Sequence, residues 1–251
     1  MQKLLVLLAF SAGCASPTVQ LCSDSVVPVA QGSIRGGSAT LGGDASFGEL
    51  GVQDAECAGA SPRIDIIGEA GTLSFGYMPA TYAGEGTLAS DLQFGGGSFE
   101  RDSDVSTVMG ADLMTARWTH DLVSTTPIKV GVGVGFCGLG LKMKVQDLDG
   151  SAEGEFDELI PLPMAVAKLE GDLGRLGFEA SYGLHETSGA DGGFRLQDLD
   201  ARLSVDIKDS VGALVFGYRE VRLDGTNFDA GESTSLSVAF GGPYLGLTLG
   251  F

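Results

Sequence analysis

The sequence predicts an all-β chain: an antiparallel, up-and-down transmembrane β-barrel of ten strands, with eight as the alternative count. Three observations lead there. Apolar residues recur at every second position in several segments, the period of a strand rather than of a helix. The chain holds 40 glycines among 251 residues, only 19% charged residues and a mean hydropathy of +0.19. No apolar run nevertheless approaches the ~18 residues that a spanning helix needs. Finally, the carboxylates collect in the connections between proposed strands.

The final segment shows the alternation most clearly. Leu245, Leu247, Leu249 and Phe251 fall on one face, and Tyr244, Gly246, Thr248 and Gly250 on the other. Residues 195–207 set Leu199, Ala201, Leu203, Val205 and Ile207 against Asp198, Asp200, Arg202, Ser204 and Asp206. Residues 176–185 set Leu176, Phe178, Ala180, Tyr182 and Leu184 against Gly177, Glu179, Ser181, Gly183 and His185. Residues 128–136 place Ile128, Val130, Val132, Val134 and Phe136 opposite Lys129 and three glycines. A soluble sandwich alternates too, with its apolar face inside. In a membrane barrel that face meets lipid and the polar face lines the lumen. Dispersed apolarity without a long apolar run favours the barrel.

The N-terminus agrees. Met1-Gln2-Lys3, an apolar stretch over residues 4–10 and small residues beyond it form a secretory signal pattern. Cleavage is expected before Cys14 or after Ala15. Ser11-Ala12-Gly13-Cys14 approximates a lipoprotein processing site, which makes Cys14 a candidate for lipidation. The organisation expected is a signal peptide over 1–15, a periplasmic linker over 16–32 and one barrel domain over 33–251.

The ten strands are expected near 33–40, 63–69, 72–83, 108–120, 128–146, 160–171, 175–185, 195–207, 211–223 and 233–251. Long connections at 41–62, 84–107, 147–159, 186–194 and 224–232 alternate with short ones, as external loops alternate with periplasmic turns in barrels. The long connections carry 20 of the 33 acidic residues and one basic residue, Arg101, so they hold a net charge of −19 and the remainder +1. Two strands change phase. After Phe136 the apolar residues move to Leu139, Leu141, Met143 and Val145, and a similar break falls at Gly241-Gly242-Pro243. A β-bulge at each break, at Cys137-Gly138 in the first, would keep a single outer face. Trp118 and Phe251 are expected in a periplasmic aromatic girdle, and Tyr82 and Phe228 in an outer one.

On the strength of the 245–251 ending, the glycine-rich 130–140 strand and the alternating 199–207 strand, residues 33–251 resemble the small outer-membrane β-barrel proteins of Gram-negative bacteria. The resemblance implies an outer-membrane location. It also implies that Leu245, Leu247, Leu249 and Phe251 form an assembly signal for barrel-assembly machinery. Outer-membrane lipids and lipopolysaccharide are the implied surroundings.

Candidate lumen charges are Lys129, Glu179, Asp198, Asp200, Arg202 and Asp206, joined by Glu170 and Arg219, because buried charges must pair or meet water. His185 with Ser188 is a conceivable nucleophile pair at the outer rim, but no nucleophile motif surrounds it, and no catalytic residue is assigned. The acidic stretch 147–158 spaces its oxygens as a calcium loop does but has Ala152 where that loop needs glycine, so it is read as a solvated loop with weak divalent-cation binding at most. No resident cofactor or metal is expected. A pI near 4.2 disfavours nucleic acid. Cys22 and Cys57 are a candidate disulfide that would conflict with the strand map, and Cys137 is read as packing. The function expected is a non-enzymatic structural or surface-interaction role through acidic extracellular loops. The alternatives are a narrow solute or ion channel and, more distantly, a membrane-edge lipid hydrolase.

Overall fold

A computed structural model of the chain describes residues 18–26, 29–37, 41–52, 59–125, 127–189, 192–208, 212–226 and 235–250. The strands in chain order are β1 (Thr18–Val26), β2 (Val29–Gly37), β3 (Leu41–Ser46), β4 (Gly59–Gly68), β5 (Gly71–Thr87), β6 (Leu92–Phe94) and β7 (Gly97–Phe99). They continue with β8 (Asp104–Thr125), β9 (Ile128–Asp147), β10 (Glu153–Asp172), β11 (Leu176–Gly189), β12 (Gly192–Lys208), β13 (Gly212–Thr226) and β14 (Ser235–Gly250). The antiparallel order β1-β4-β5-β8-β9-β10-β11-β12-β13-β14 closes on itself through a β14–β1 ladder. Ten strands therefore make the ring, and closure removes its edges.

The first strand differs from expectation. Residues 18–32, read as a linker, are largely strand. β1 lies along 244–250 of β14, and β2 along 235–241 of the same strand. The signal was faint because β1 turns Gln20, Cys22 and Asp24 inward and alternates them with only two large apolar groups, Val19 and Leu21. The expected loops 41–62 and 84–107 contain β3, β6 and β7, and most of 186–194 is strand. Residues 147–158 are not a twelve-residue loop either. The turn occupies 148–152, and the later carboxylates ride on β10, where Glu153 and Asp157 pair with Lys144 and Lys142 of β9 at 3.0 and 3.1 Å.

The expected bulges are absent. β9 keeps unbroken register with both neighbours through Phe136, Cys137, Gly138 and Leu139, and β14 does so with β13 through Gly241, Gly242 and Pro243. The register shifts among the described strands fall elsewhere, at Asp121/Val123 and Asp206/Lys208. What changes is chemistry along a continuous pleat. Val134 is 62% exposed on the outer surface, whereas Leu139, five residues on and facing inward, is fully buried. On β14, Leu245, Leu247 and Leu249 face out while Val238 and Phe240 face in. β8 and β13 make the same exchange near Leu113 and Arg219.

The barrel thus has two halves of opposite polarity. In the half with the short turns, apolar groups face out and polar groups face in. In the half with the long connections, the outside is polar and the interior is an apolar core that includes Met78, Tyr82, Met109, Leu139 and Leu223. With short turns placed in the periplasm, these are the inner and outer halves. The lipid-facing part of β9, 128–136, measures about 27 Å along the strand at ~3.4 Å per residue. At a tilt of ~40° it rises about 20 Å, near the height of an outer-membrane apolar band. Beyond that height water bathes the wall, so the interior is the remaining place to bury apolar surface.

Tyr82, expected in the outer girdle, is fully buried in this core. The outward-facing tyrosines are Tyr77, Tyr182 and Tyr218, near the tops of the apolar runs of their strands. Tyr77 donates to Asp112 at 2.7 Å, Tyr218 donates to Glu220 at 2.9 Å, and Gln197 donates to Tyr182 at 2.8 Å. Each ring has an apolar body and a wet tip, which suits a membrane interface. Trp118 is exposed nearer the other end and stacks on His120 at 6.3 Å. Phe228 and Phe251 lie outside the described residues.

The outer mouth is roofed. β2 pairs with β3, β3 with β6, and the β6–β7 hairpin reaches β10, where the Glu155 N–H donates to the Gly95 carbonyl at 3.4 Å. This hairpin buries Leu92, Phe94 and Phe99, and the turn after β3 buries Phe47, Leu50 and Val52. Glu49 holds that turn by accepting from the Ser46 N–H at 2.6 Å and the Ser46 hydroxyl at 2.7 Å. Those donors, the backbone one foremost, keep its carboxyl below its ordinary range. The contribution is present above that range and is lost as pH falls through the lowered value. Proteolysis within 46–52 should therefore speed up on acidification in the wild type and show no such pH dependence in Glu49→Gln.

Candidate functional site

Inward alternation delivers a ring of charge to the inner half. β4 presents Arg63 and Asp65; β8, Arg117; β10, Lys168 and Glu170; β11, Glu179; β12, Asp198, Asp200 and Arg202; and β13, Arg219. Their partners lie across the lumen as well as on neighbouring strands, because a ten-stranded barrel is narrow enough for long side chains to meet.

Asp198 is the most deeply placed. It accepts from Arg219 Nε at 3.2 Å and Nη2 at 3.0 Å, and from Arg117 Nη2. Arg117 also donates to the Ser181 hydroxyl at 2.9 Å. Asp200 accepts from Tyr244 at 2.7 Å and from Arg63 at 3.2 Å. Tyr244 reaches it over Gly217, where a Cβ would lie 2.2 Å from the phenol ring, so only glycine leaves the path clear. Nearer the mouth, Glu179 takes Arg202 at 2.6 Å and Lys168 at 3.3 Å, and Lys168 also binds Glu170 at 2.8 Å. Arg63 and Arg202 approach Asp65 at 3.1 and 3.4 Å. Cations and carboxylates interleave, so each desolvated charge has an opposite neighbour.

Two small cavities, of about 30 and 10 Å³, interrupt this cluster beside Arg63, Asp200 and Arg219. They are large enough for waters between polar walls. Below it, a cavity of about 210 Å³ opens at the short-turn end, lined by Lys168, Glu170, Arg202, Asp206 and Thr248 among others.

The sequence-derived residues are distributed as follows. Glu179, Asp198, Asp200 and Arg202 meet within the cluster, with Glu170 and Arg219. Lys129 lies at its margin, 3.4 Å from Glu170, and Asp206 borders the mouth cavity. Arg63, Asp65, Arg117 and Lys168 were missed, although each stands between apolar neighbours (Ile64 between the first two) in the same alternation. Cys22 also faces the lumen, as a free thiol 3.3 Å from the Thr248 hydroxyl, and Cys137 is free and buried in the outer core. Cys14 and Cys57 lie outside the described residues. His185 and Ser188 take opposite parities on an unbroken β11 ladder, so the pair is not assembled. Among the described residues, no group of three or more His, Cys, Asp or Glu could hold a metal ion.

The fold is similar to that of the outer membrane protease OmpT from Escherichia coli, with a TM-score of 0.58 and 8% identity over 96% of this chain and 98% of that one. The chain has the outer-membrane β-barrel fold. Its exposed apolar belt around a closed, hydrogen-bonded ring places the barrel in the outer membrane, since lipid tolerates only such structures and helices. The translocator domain of the autotransporter NalP from Neisseria meningitidis also matches, with a TM-score of 0.42 and 10% identity over 94% of this chain and 88% of that one. At such identities the likeness concerns the fold alone. No protein-family model matches the sequence, and no curated protein matches it.

Proposed function

We propose that this barrel is closed along its axis and has a structural or surface-interaction role, exercised through the acidic surface of its outer half. What supports the reading is that the lumen is occupied in both halves: by paired charges below, and by an apolar core under the β6–β7 roof above. An ion crossing it would have to pass apolar packing that offers no replacement for its water shell. The surface left to act is the outer one, with its net charge of −19 in the expected long connections. Carboxylates there suit cationic partners, or lipopolysaccharide phosphates bridged by divalent cations.

Conductance tests the closure. The full chain, refolded into planar bilayers, should show no steady unitary conductance at either polarity. A reproducible wild-type conductance would overturn the reading in favour of a narrow channel, and the 210 Å³ mouth cavity would then be its vestibule.

A further inference from the structure

β10 is laddered to β9 over nearly its whole length, from Glu153↔Gln146 to Gly171↔Ile128, but to β11 only from Ala165↔Leu184 to Asp172↔Gly177. Asp172 donates its N–H towards the β9 side, to the Pro127 carbonyl at 2.9 Å, while Glu155 donates away from β9, to Gly95. Even-numbered residues of β10 thus serve β9, and odd-numbered ones face β11. Two of the odd-numbered residues are Pro161 and Pro163, which have no N–H to give on that side. An extended ladder would set Pro163 against Glu186 and Pro161 against Ser188, and neither pair forms.

Exposure shows a gap in the wall there. Elsewhere in the outer half, inward positions such as Leu113, Leu139 and Leu223 are buried. Beside the gap, Glu158 and Thr187 are exposed and Ile160 is only half-buried, although their parity also turns them inward. The opening has Ala165–Leu184 as its sill and the β6–β7 tip against 153–156 as its lintel. Outside, Pro163 pairs with Phe136 at the top of the lipid-facing part of β9, and Pro161 and the 62% exposed Leu159 extend the apolar run of Ala165, Ala167 and Leu169 past it. Inside lie Leu162, Met164 and Leu196, all buried in the apolar core.

We propose that this opening is a lateral window at which an acyl chain of an outer-leaflet lipid reaches the edge of the apolar core in the barrel's outer half. The window adjoins the surface that already meets lipid, and its sill, its β10 side at Pro161 and Pro163 and the core behind it are apolar, so a chain has an apolar path along the β10 edge, opposite Glu186, Thr187 and Ser188. An added peptide strand is the other occupant that an open edge invites. The prolines withhold the donors such a strand would need, in the manner of protected edges. The window lies in the wall rather than on the axis, and so it is compatible with a barrel that does not conduct.

Full-length protein carrying Trp118→Phe and Ile160→Trp, refolded into vesicles of phospholipid brominated on its acyl chains, provides the test. Bromine quenches tryptophan on contact. Emission from Ile160→Trp should fall as far as that of native Trp118 on the lipid-facing wall. Phe240→Trp, buried in the core on β14 and away from the window, should keep its emission, and Phe156→Trp is a second window probe if the first does not fold. Restoring the N–H groups with Pro161→Val and Pro163→Val should protect the Glu186 and Ser188 amides from exchange and reduce quenching at Ile160→Trp. Quenching at Ile160→Trp and Phe156→Trp no greater than at Phe240→Trp would overturn the proposal. So would undiminished quenching once those amides are protected. Protection of the same amides in the wild type, without quenching, would assign the gap to an added strand instead.

Discussion

Asp198→Ala should lower the stability of the barrel by about 3–5 kcal/mol, the usual consequence of removing one partner from a buried ion pair. Asp198 has no exposed surface, and it accepts from both Arg219 and Arg117. Alanine would leave two guanidinium groups facing each other in a space whose other carboxylates already serve Arg63, Lys168 and Arg202. Asp198→Asn keeps an acceptor and should lose less. A triple variant, Asp198→Leu with Arg117→Met and Arg219→Met, should recover most of the loss, since apolar groups of similar volume replace buried ion pairs at little net cost. Urea titration of refolding into vesicles measures all three. An Asp198→Ala barrel as stable as the wild type would mean that water, rather than the carboxylate, compensates the two arginines.

On β9, Val134→Arg should cost about 1–3 kcal/mol, the penalty for a cation on the lipid face between the midplane and the outer interface. Lys142→Leu, eight residues along the same strand and the same face, should change stability by no more than ~0.5 kcal/mol, because that position meets water beside Asp157. Leu139→Ala should cost about 2–5 kcal/mol through the cavity it opens in the outer core. Spin labels distinguish the exchange of faces from the bulge expected at Cys137-Gly138. A nitroxide at position 134 should be relaxed by oxygen dissolved in lipid, and one at position 144 by an aqueous paramagnetic reagent. A label at 144 that responded to oxygen as the one at 134 does would put the wall of that half in lipid and discard the two-halved description.

The strand alternation was legible wherever one face is uniformly large and apolar, as in 128–136, 199–207 and 245–249. It faded where large apolar groups are few or the strand is short, which is why β1, with only Val19 and Leu21 against Gln20, Cys22 and Asp24, read as a linker and the three-residue β6 and β7 read as loops. Glu179, Asp198, Asp200 and Arg202 were accessible from parity alone. Their partners Arg63 and Arg117 stand on strands far away in sequence, and only the closed ring brings them within hydrogen-bonding distance, whereas Lys168 reaches Glu179 from the adjacent strand β10. The phase change after Phe136 was visible as well, but a bulge and an exchange of faces leave the same mark in one strand. The ladders on both sides of β9 separate the two.

By itself, the sequence determined that the chain is a set of two-faced strands, since a period of two is a local property of the pleat and needs no neighbour to express it. Which face is inside is not local. Whether that face is the apolar one depends on where the closed ring leaves the hydrocarbon and enters water, and the apolar groups change sides partway along β5, β8, β9, β10, β12, β13 and β14. Pairing across the lumen, the roof over the core and the unpaired stretch beside Pro161 and Pro163 were likewise decided only in the tertiary structure. Each depends on contacts between segments whose separation in the chain no periodicity encodes.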